Sequence, residues 1–301
     1  MKKGIFYAIG AYTVWGVLPI FWKLLQSASA SEIVAHRMVW SLIFLAAILS
    51  YRRQWQWLPK IRRNRRAMGI FALTAALLGT NWLIYVWGVN TGHIVETSLG
   101  YFINPLVNVL FGVIFFHERL RRGQWLAIAI ATAGVLYLTF SYGALPWIAL
   151  SLAFSFGFYG MFKKKSPLNA LEGLSLEMMV LFIPALLYLF YLQGAGEATF
   201  GHVGLMTTLL LAMTGVATAI PLLFFAAAAQ RIPLSVIGVL QYLAPTLQFL
   251  IGVIIYGEAF TQTRLIGFGI IWLALFIYTV EGVVMRRKRN LAALDKAVPR
   301  R

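Results

Sequence analysis

Apolar residues run through this 301-residue chain in long blocks separated by short polar stretches. Blocks near the ~20 residues a helix needs to cross a bilayer fall at 4–25, 32–50, 67–90, 93–116, 123–141, 145–163, 174–192, 204–229, 233–256 and 263–284. They are too long for barrel strands and lack period-two alternation, which leaves helices as the structure that satisfies its backbone in lipid. The pattern predicts an all-α integral membrane protein with ten transmembrane helices. Lys2 and Lys3 ahead of the first block, and Ser27-Ala28-Ser29-Ala30 behind it, imitate a signal peptide. The apolar part is longer than an h-region of 7–15 residues, so it reads as a retained first span.

The blocks repeat. Residues 98–120, SLGYFINPLVNVLFGVIFFHERL, align with 238–260, GVLQYLAPTLQFLIGVIIYGEAF, at an offset of 140. Pro105 then meets Pro245, Asn108 meets Gln248, Gly112 meets Gly252 and Glu118 meets Glu258. The same offset matches Asn81 with Pro221, Asn90 with Gln230 and Glu32 with Glu172, and at 141 Lys23 meets Lys164 and Phe21 meets Phe162. The expected organisation is a first five-helix repeat over 1–141, a second over 142–285 and a basic tail over 286–301. Five is odd, so the second half enters the membrane in the opposite sense, and inverted repeats around a midplane site are an architecture of secondary transporters.

With 60% hydrophobic and 12% charged residues and a mean hydropathy of +0.79, a soluble domain is excluded, and membrane lipid becomes the main partner of the surface. A net charge of +17 would suit nucleic acid, but all of the 26 Lys and Arg residues except Lys23, Arg37 and Arg264 fall on one side of a ten-span chain. That is the positive-inside pattern. It places both termini in the cytoplasm and predicts no nucleic-acid partner. No cysteine is present, so disulfides and thiolate chemistry are absent.

Polar residues inside the blocks form stripes. Thr97, Tyr101, Asn104 and Asn108 share a face of the fourth helix, and Gln241 and Gln248 share one of the ninth. Thr74, Asn81 and Tyr85 lie along the third helix, and Thr214, Thr218 and Pro221 along the eighth. Amides cannot face lipid unpartnered, so these faces either line a cavity or join helices; four stripes on repeat-related helices favour a lining. Pro105 and Pro245 kink their helices and serve as static bends or hinges. Arg37 and its repeat counterpart Glu177 are candidates for a substrate or gate charge, with Glu96 and His36 nearby in depth, although end-of-helix charges can also snorkel. Glu118 and Glu258 read as loop anchors. The chain carries no glycine-rich phosphate loop, metal cluster or nucleophile with a paired base, so no cofactor, metal or enzymatic activity is expected.

At these motifs the sequence resembles the EamA family of the drug/metabolite transporter superfamily, over about residues 4–285. WLIYVWGVNTG with SLGYFINPLVNVLFG and HERL is similar to its RarD subgroup, which is named for chloramphenicol sensitivity, and APTLQFLIGVIIYGE fits the broad pattern. His117 departs from it, standing where many members carry Gly. The resemblance implies a ten-helix permease with a cavity formed mainly by helices 1, 3, 4, 6, 8 and 9. Carried onto this chain, that cavity takes Trp15, Asn81, Tyr85, Tyr101, Asn104, Tyr159, Gln241, Tyr242 and Gln248, beside the stripe residue Asn108. The expected function is alternating-access transport of a small amphiphilic metabolite or drug-like molecule across a bacterial cytoplasmic membrane. A membrane-embedded enzyme and a passive channel are the alternatives.

Overall fold

The computed structural model describes residues 2–91, 93–143, 145–257 and 261–297, and among these every regular element is helical. Glu258 and the last tail residues, Arg300 and Arg301 included, lie outside the described residues, as do the side chains of Asn90, Arg264 and the tail from residue 286. The apolar blocks fold as α1 (Lys2–Lys23), α2 (Ala30–Tyr51), α4 (Arg65–Asn90), α5 (Ile94–Phe116), α6 (Arg122–Tyr142), α7 (Trp147–Lys164), α8 (Ala170–Ala195) and α9 (Leu205–Ala229). The ninth is a broken run, α10 (Leu234–Gln241), α11 (Leu243–Leu250) and a π-helical turn (Ile251–Ile255), and the tenth begins α12 (Gln262–Ala297). A short helix, α3 (Trp57–Arg63), follows α2. Nine spans among the described residues are long and apolar enough to cross a membrane. The tenth helix, α7, misses that mark because its 18 residues end in Lys163 and Lys164.

The two halves repeat at the level of caps and contacts. Ser29 accepts a hydrogen bond from the Glu32 backbone at the start of α2. Asn169, 140 residues later, makes the same cap to Glu172 at the start of α8. Each satisfies an otherwise open N–H of the first turn. The end of α1 at Lys23 and of α7 at Lys164 differ by 141, so the loop after α7 is one residue shorter. That places Gly16 opposite Gly157, and both are contact points. A Cβ on Gly16 would stand 2.7 Å from Leu247 of α11, and one on Gly157 would stand 2.6 Å from Val107 of α5.

The larger compact unit, residues 1–116 and 146–258, contains eight of the long helical runs. Within it α1 packs on α9 and on α10–α11, while α7 packs on α4 and α5; α2 lies on α9 as α8 lies on α4. Exchanging halves converts each pairing into the other, as an internal repeat requires. The α2–α8 and α5–α10 contacts map onto themselves. The smaller unit, 117–145 with 259–301, is the pair α6 and α12. In that unit Gly134 admits Ile270 and Ile271, Arg121 bonds Glu281 at 2.6 Å, and Gln124 donates to the Tyr278 hydroxyl at 3.0 Å.

The two repeat prolines act differently. Pro245 has no N–H for the carbonyl of Gln241, four residues back, and its ring crowds that oxygen. The α-helix breaks there, between Gln241 and Leu243. Pro105 lies inside an unbroken α5.

Candidate functional site

The polar stripes of α5 and α10 meet in one buried cluster. Asn104 donates from Nδ2 to the Ala153 carbonyl of α7 at 2.6 Å, while its Oδ1 accepts from Gln241. Asn108 donates to Gln241 Oε1 at 2.7 Å and, more weakly, to Asn104 Oδ1 at 3.3 Å. Three amides thus tie together α5, α7 and α10, the last at its break. Such networks are strong in a low-dielectric interior when each group is satisfied. One group is not: Asn108 Oδ1 is buried without a partner among the described residues.

Beside the cluster lies a cavity of about 350 Å³, wholly within the larger unit. That volume suits a small organic molecule. Of the expected amides, Asn81, Asn104, Gln241 and Gln248 line it, and of the expected aromatics, Trp15, Tyr85 and Tyr101 do. Asn81 spends its NH₂ on the Leu152 carbonyl and the Ser155 hydroxyl, both at 2.9 Å, and Gln248 spends one donor on the Trp15 carbonyl at 3.1 Å. The Tyr85 and Tyr101 rings meet edge to face at 5.9 Å. Pro245 borders the same space.

Arg37 also faces the cavity. Its Nε donates to Thr218 of α9 at 2.9 Å, and its guanidinium lies 4.5 Å from the ring centre of Trp82 and 5.1 Å from that of Trp22. Cation–π contact of this kind partly replaces lost hydration.

Three of the expected lining residues lie elsewhere. Asn108 sits behind the lining in the amide cluster, and Tyr242 is buried with its hydroxyl donating to the Phe102 carbonyl at 3.2 Å. Tyr159 lies beneath the cavity, its ring stacked on Phe225, which in turn touches Trp15 and Phe156. The Tyr159 hydroxyl donates to Glu177 at 3.2 Å. Glu177 is fully buried and receives Lys163 Nζ on both oxygens, at 3.0 and 2.9 Å, and the Thr74 hydroxyl at 2.6 Å. Cavity, aromatic seal and ion pair follow one another along α7 as Phe156, Tyr159 and Lys163, toward the helix end where basic residues gather. Pro105 does not border the cavity; its carbonyl meets Gly238 of α10.

Glu96 and Glu32 bind backbone. Glu96 accepts from the Ile148 N–H in the first turn of α7, at 2.7 Å, where a negative charge suits the helix dipole. Glu32 accepts the Thr199 and Phe200 N–H groups at 2.8 and 3.1 Å and so fixes the loop between α8 and α9. His36 stacks on Phe200 at 4.7 Å within the same corner.

Sequence reasoning missed Tyr12, Trp22 and Trp82 as neighbours of the cavity or of Arg37, while Thr218 lay on the polar stripe of the eighth helix. It also read Lys163 as a boundary charge. Trp22 had a signal, standing beside Lys23, one of three basic residues off the basic side. Trp82 had none beyond its place next to Asn81.

Known proteins show the same pattern over nearly the whole chain. The EamA-like transporter family model matches residues 2–140 and again 145–280. "Protein RarD" of Streptomyces exfoliatus is 48% identical over 298 residues, 99% of this chain and 94% of its own length. An "uncharacterized transporter" of Vibrio cholerae is 44% identical over 94% of this chain and 93% of its own. A solved crystal structure, 17% identical, superposes with a TM-score of 0.70 over 93% of this chain and 98% of its own, which establishes likeness of fold. The chain belongs to the EamA-like transporter family and is a multi-pass bacterial membrane transporter.

Proposed function

We propose that the protein is a secondary carrier that moves a small amphiphilic molecule across the cytoplasmic membrane by alternating access. The repeats 1–141 and 142–285 are inverted, both termini and the basic tail face the cytoplasm, and the cavity faces outward. The observation that carries this reading is the order along α4 and α7. The cavity occupies one half of these helices, and the Phe225–Tyr159 seal with the Lys163–Glu177 pair occupies the other, on the basic side. A carrier needs a site closed at one end by contacts that can be remade, and a repeat provides two such ends. The break before Pro245 lets α10 and α11 tilt separately at the site.

The amide cluster transmits that tilt, since Gln241 is the last residue before the break and holds Asn104 and Asn108 of α5. Asn104→Leu and Gln241→Leu should each lower transport at least about tenfold, because each leaves buried amides without partners at a cost of about 1–3 kcal/mol apiece. Reconstituted vesicles and a compound selected by ligand-induced thermal stabilisation provide the assay. Counterflow, in which an opposing gradient accelerates uptake, identifies a carrier. Unaltered transport in both variants would remove this cavity from the mechanism.

A further inference from the structure

Arg37 is a cation facing a cavity without an anion. Among the described residues no carboxylate comes within 4.0 Å of it. The nearby acids are engaged elsewhere: Glu32 on the loop after α8, Glu96 on the start of α7, Glu177 on Lys163. A desolvated guanidinium costs free energy unless a counter-charge arrives.

The repeat makes the gap specific. α2 and α8 begin at matching residues, Ala30 and Ala170, so Arg37 and Glu177 occupy one structural position. Each bonds a threonine of the helix packed against it, Thr218 on α9 and Thr74 on α4. In the α1–α7 register set by Gly16 and Gly157, the counterpart of Lys163 is Trp22. One end of the molecule therefore closes on an internal ion pair. At the other a cation faces Trp22 and Trp82, and its opposite charge is missing.

We infer that the substrate itself supplies that charge: the transported molecule is an organic anion whose carboxylate docks on Arg37 and whose aromatic or apolar body lies among Trp15, Tyr85, Tyr101 and Phe156. The guanidinium fork is preorganised for a planar carboxylate, through the Nη groups left free by the Nε–Thr218 bond. One uncompensated positive charge matches one carboxylate, and it repels ammonium compounds. Lys23, last residue of α1, adds a second positive charge at this end of the helix. This rests on the carrier reading of the cavity, which it deepens.

The test uses the purified full-length protein and three probes of one shape and different charge: phenylpropionate, phenylpropionamide and phenylpropylamine. Thermal melting should show stabilisation by the carboxylate alone. Arg37→Gln should weaken it by about tenfold or more, and Arg37→Lys, which keeps a point charge without the fork, by less. The wild-type comparison needs no variant, so a poorly folding Arg37→Gln does not spoil it. Equal stabilisation by carboxylate and amide, preference for the amine, or no stabilisation by any probe overturns the inference. Melting in detergent involves no translocation. Carboxylate binding without counterflow in vesicles would sink the carrier reading alone, and counterflow of a neutral or cationic compound would sink the anion alone.

Discussion

Glu177→Gln should open the sealed end of the cavity. Lys163 and Glu177 are 1% and 0% exposed and 2.9 Å apart, with Thr74 and Tyr159 completing the carboxylate's shell. Removing one partner leaves the other charge buried, at a cost of about 3–5 kcal/mol. That cost falls on the closed arrangement, because an opened end admits water to the ammonium. At about 1.4 kcal/mol per factor of ten, the balance moves by two orders of magnitude or more toward the opened state. Two readouts follow. The melting temperature should fall, and a cysteine at cavity residue Ala244, introduced into a chain with no native cysteine, should label faster from the cytoplasmic face. Lys163→Met combined with Glu177→Leu strands no charge and should recover much of the stability. If the single and double variants melt and label as the wild type does, the ion pair holds nothing closed.

Gly215→Leu should be the most damaging change to the fold. Gly215 lies where α9 crosses α2, and a Cβ there would overlap the backbone of Trp40 and Ser41. The Ser41 hydroxyl also donates to the Gly215 carbonyl at 3.1 Å, holding the backbones at that spacing. Small residues at helix crossings let membrane helices approach this closely. A leucine must either separate α2 from α9 or break the bond, costing about 1–3 kcal/mol or more by overpacking. Loss of monodisperse protein, or a melting temperature lowered by several degrees, is the expected result. Gly69→Leu is the control, since nothing lies within 4 Å of a Cβ there, and it should stay within about ±0.5 kcal/mol of wild type. Equal behaviour of the two variants would contradict the close-crossing account.

Both sites bear on how much the sequence could reveal. The apolar blocks all became helical, nine of them long and apolar enough to cross a membrane among the described residues, because a bilayer fixes helix length and leaves the backbone no other partner. α3 escaped: Lys60, Arg62 and Arg63 made its stretch look like a loop, while the buried Trp57 and Ile61 that anchor it are only two positions in seven. The offset of 140 carried over to the caps at Ser29 and Asn169, since a cap is a local hydrogen bond between residues three apart. The offset of 141 across α1 and α7 surfaced in Gly16 and Gly157, whose partners Leu247 and Val107 lie on other helices far along the chain.

The site was legible where its residues share a helix face. Tyr101, Asn104, Gln241 and Gln248 are polar in apolar blocks, and any such residue must find a partner or a cavity. Which of the two it finds depends on the neighbouring helix, so Asn108 and Tyr242 could not be told from lining residues along the chain. Glu177 shows the same limit from the other direction. As a lone acid in an apolar block it suggested a gate, but only the packing of α7 and α8 on α4 brings Lys163, Tyr159 and Thr74 to it.

Access to the cavity from the two faces tests the central claim most directly. Sealed vesicles containing Ala244→Cys would be treated with a membrane-impermeant maleimide from the outer face or, inverted, from the cytoplasmic face. Alternating access predicts that the thiol reacts from either side, that prior reaction from one side blocks reaction from the other, and that the vesicle interior stays free of reagent. Reaction from one side alone at every temperature, or leakage of reagent through the protein, would contradict it.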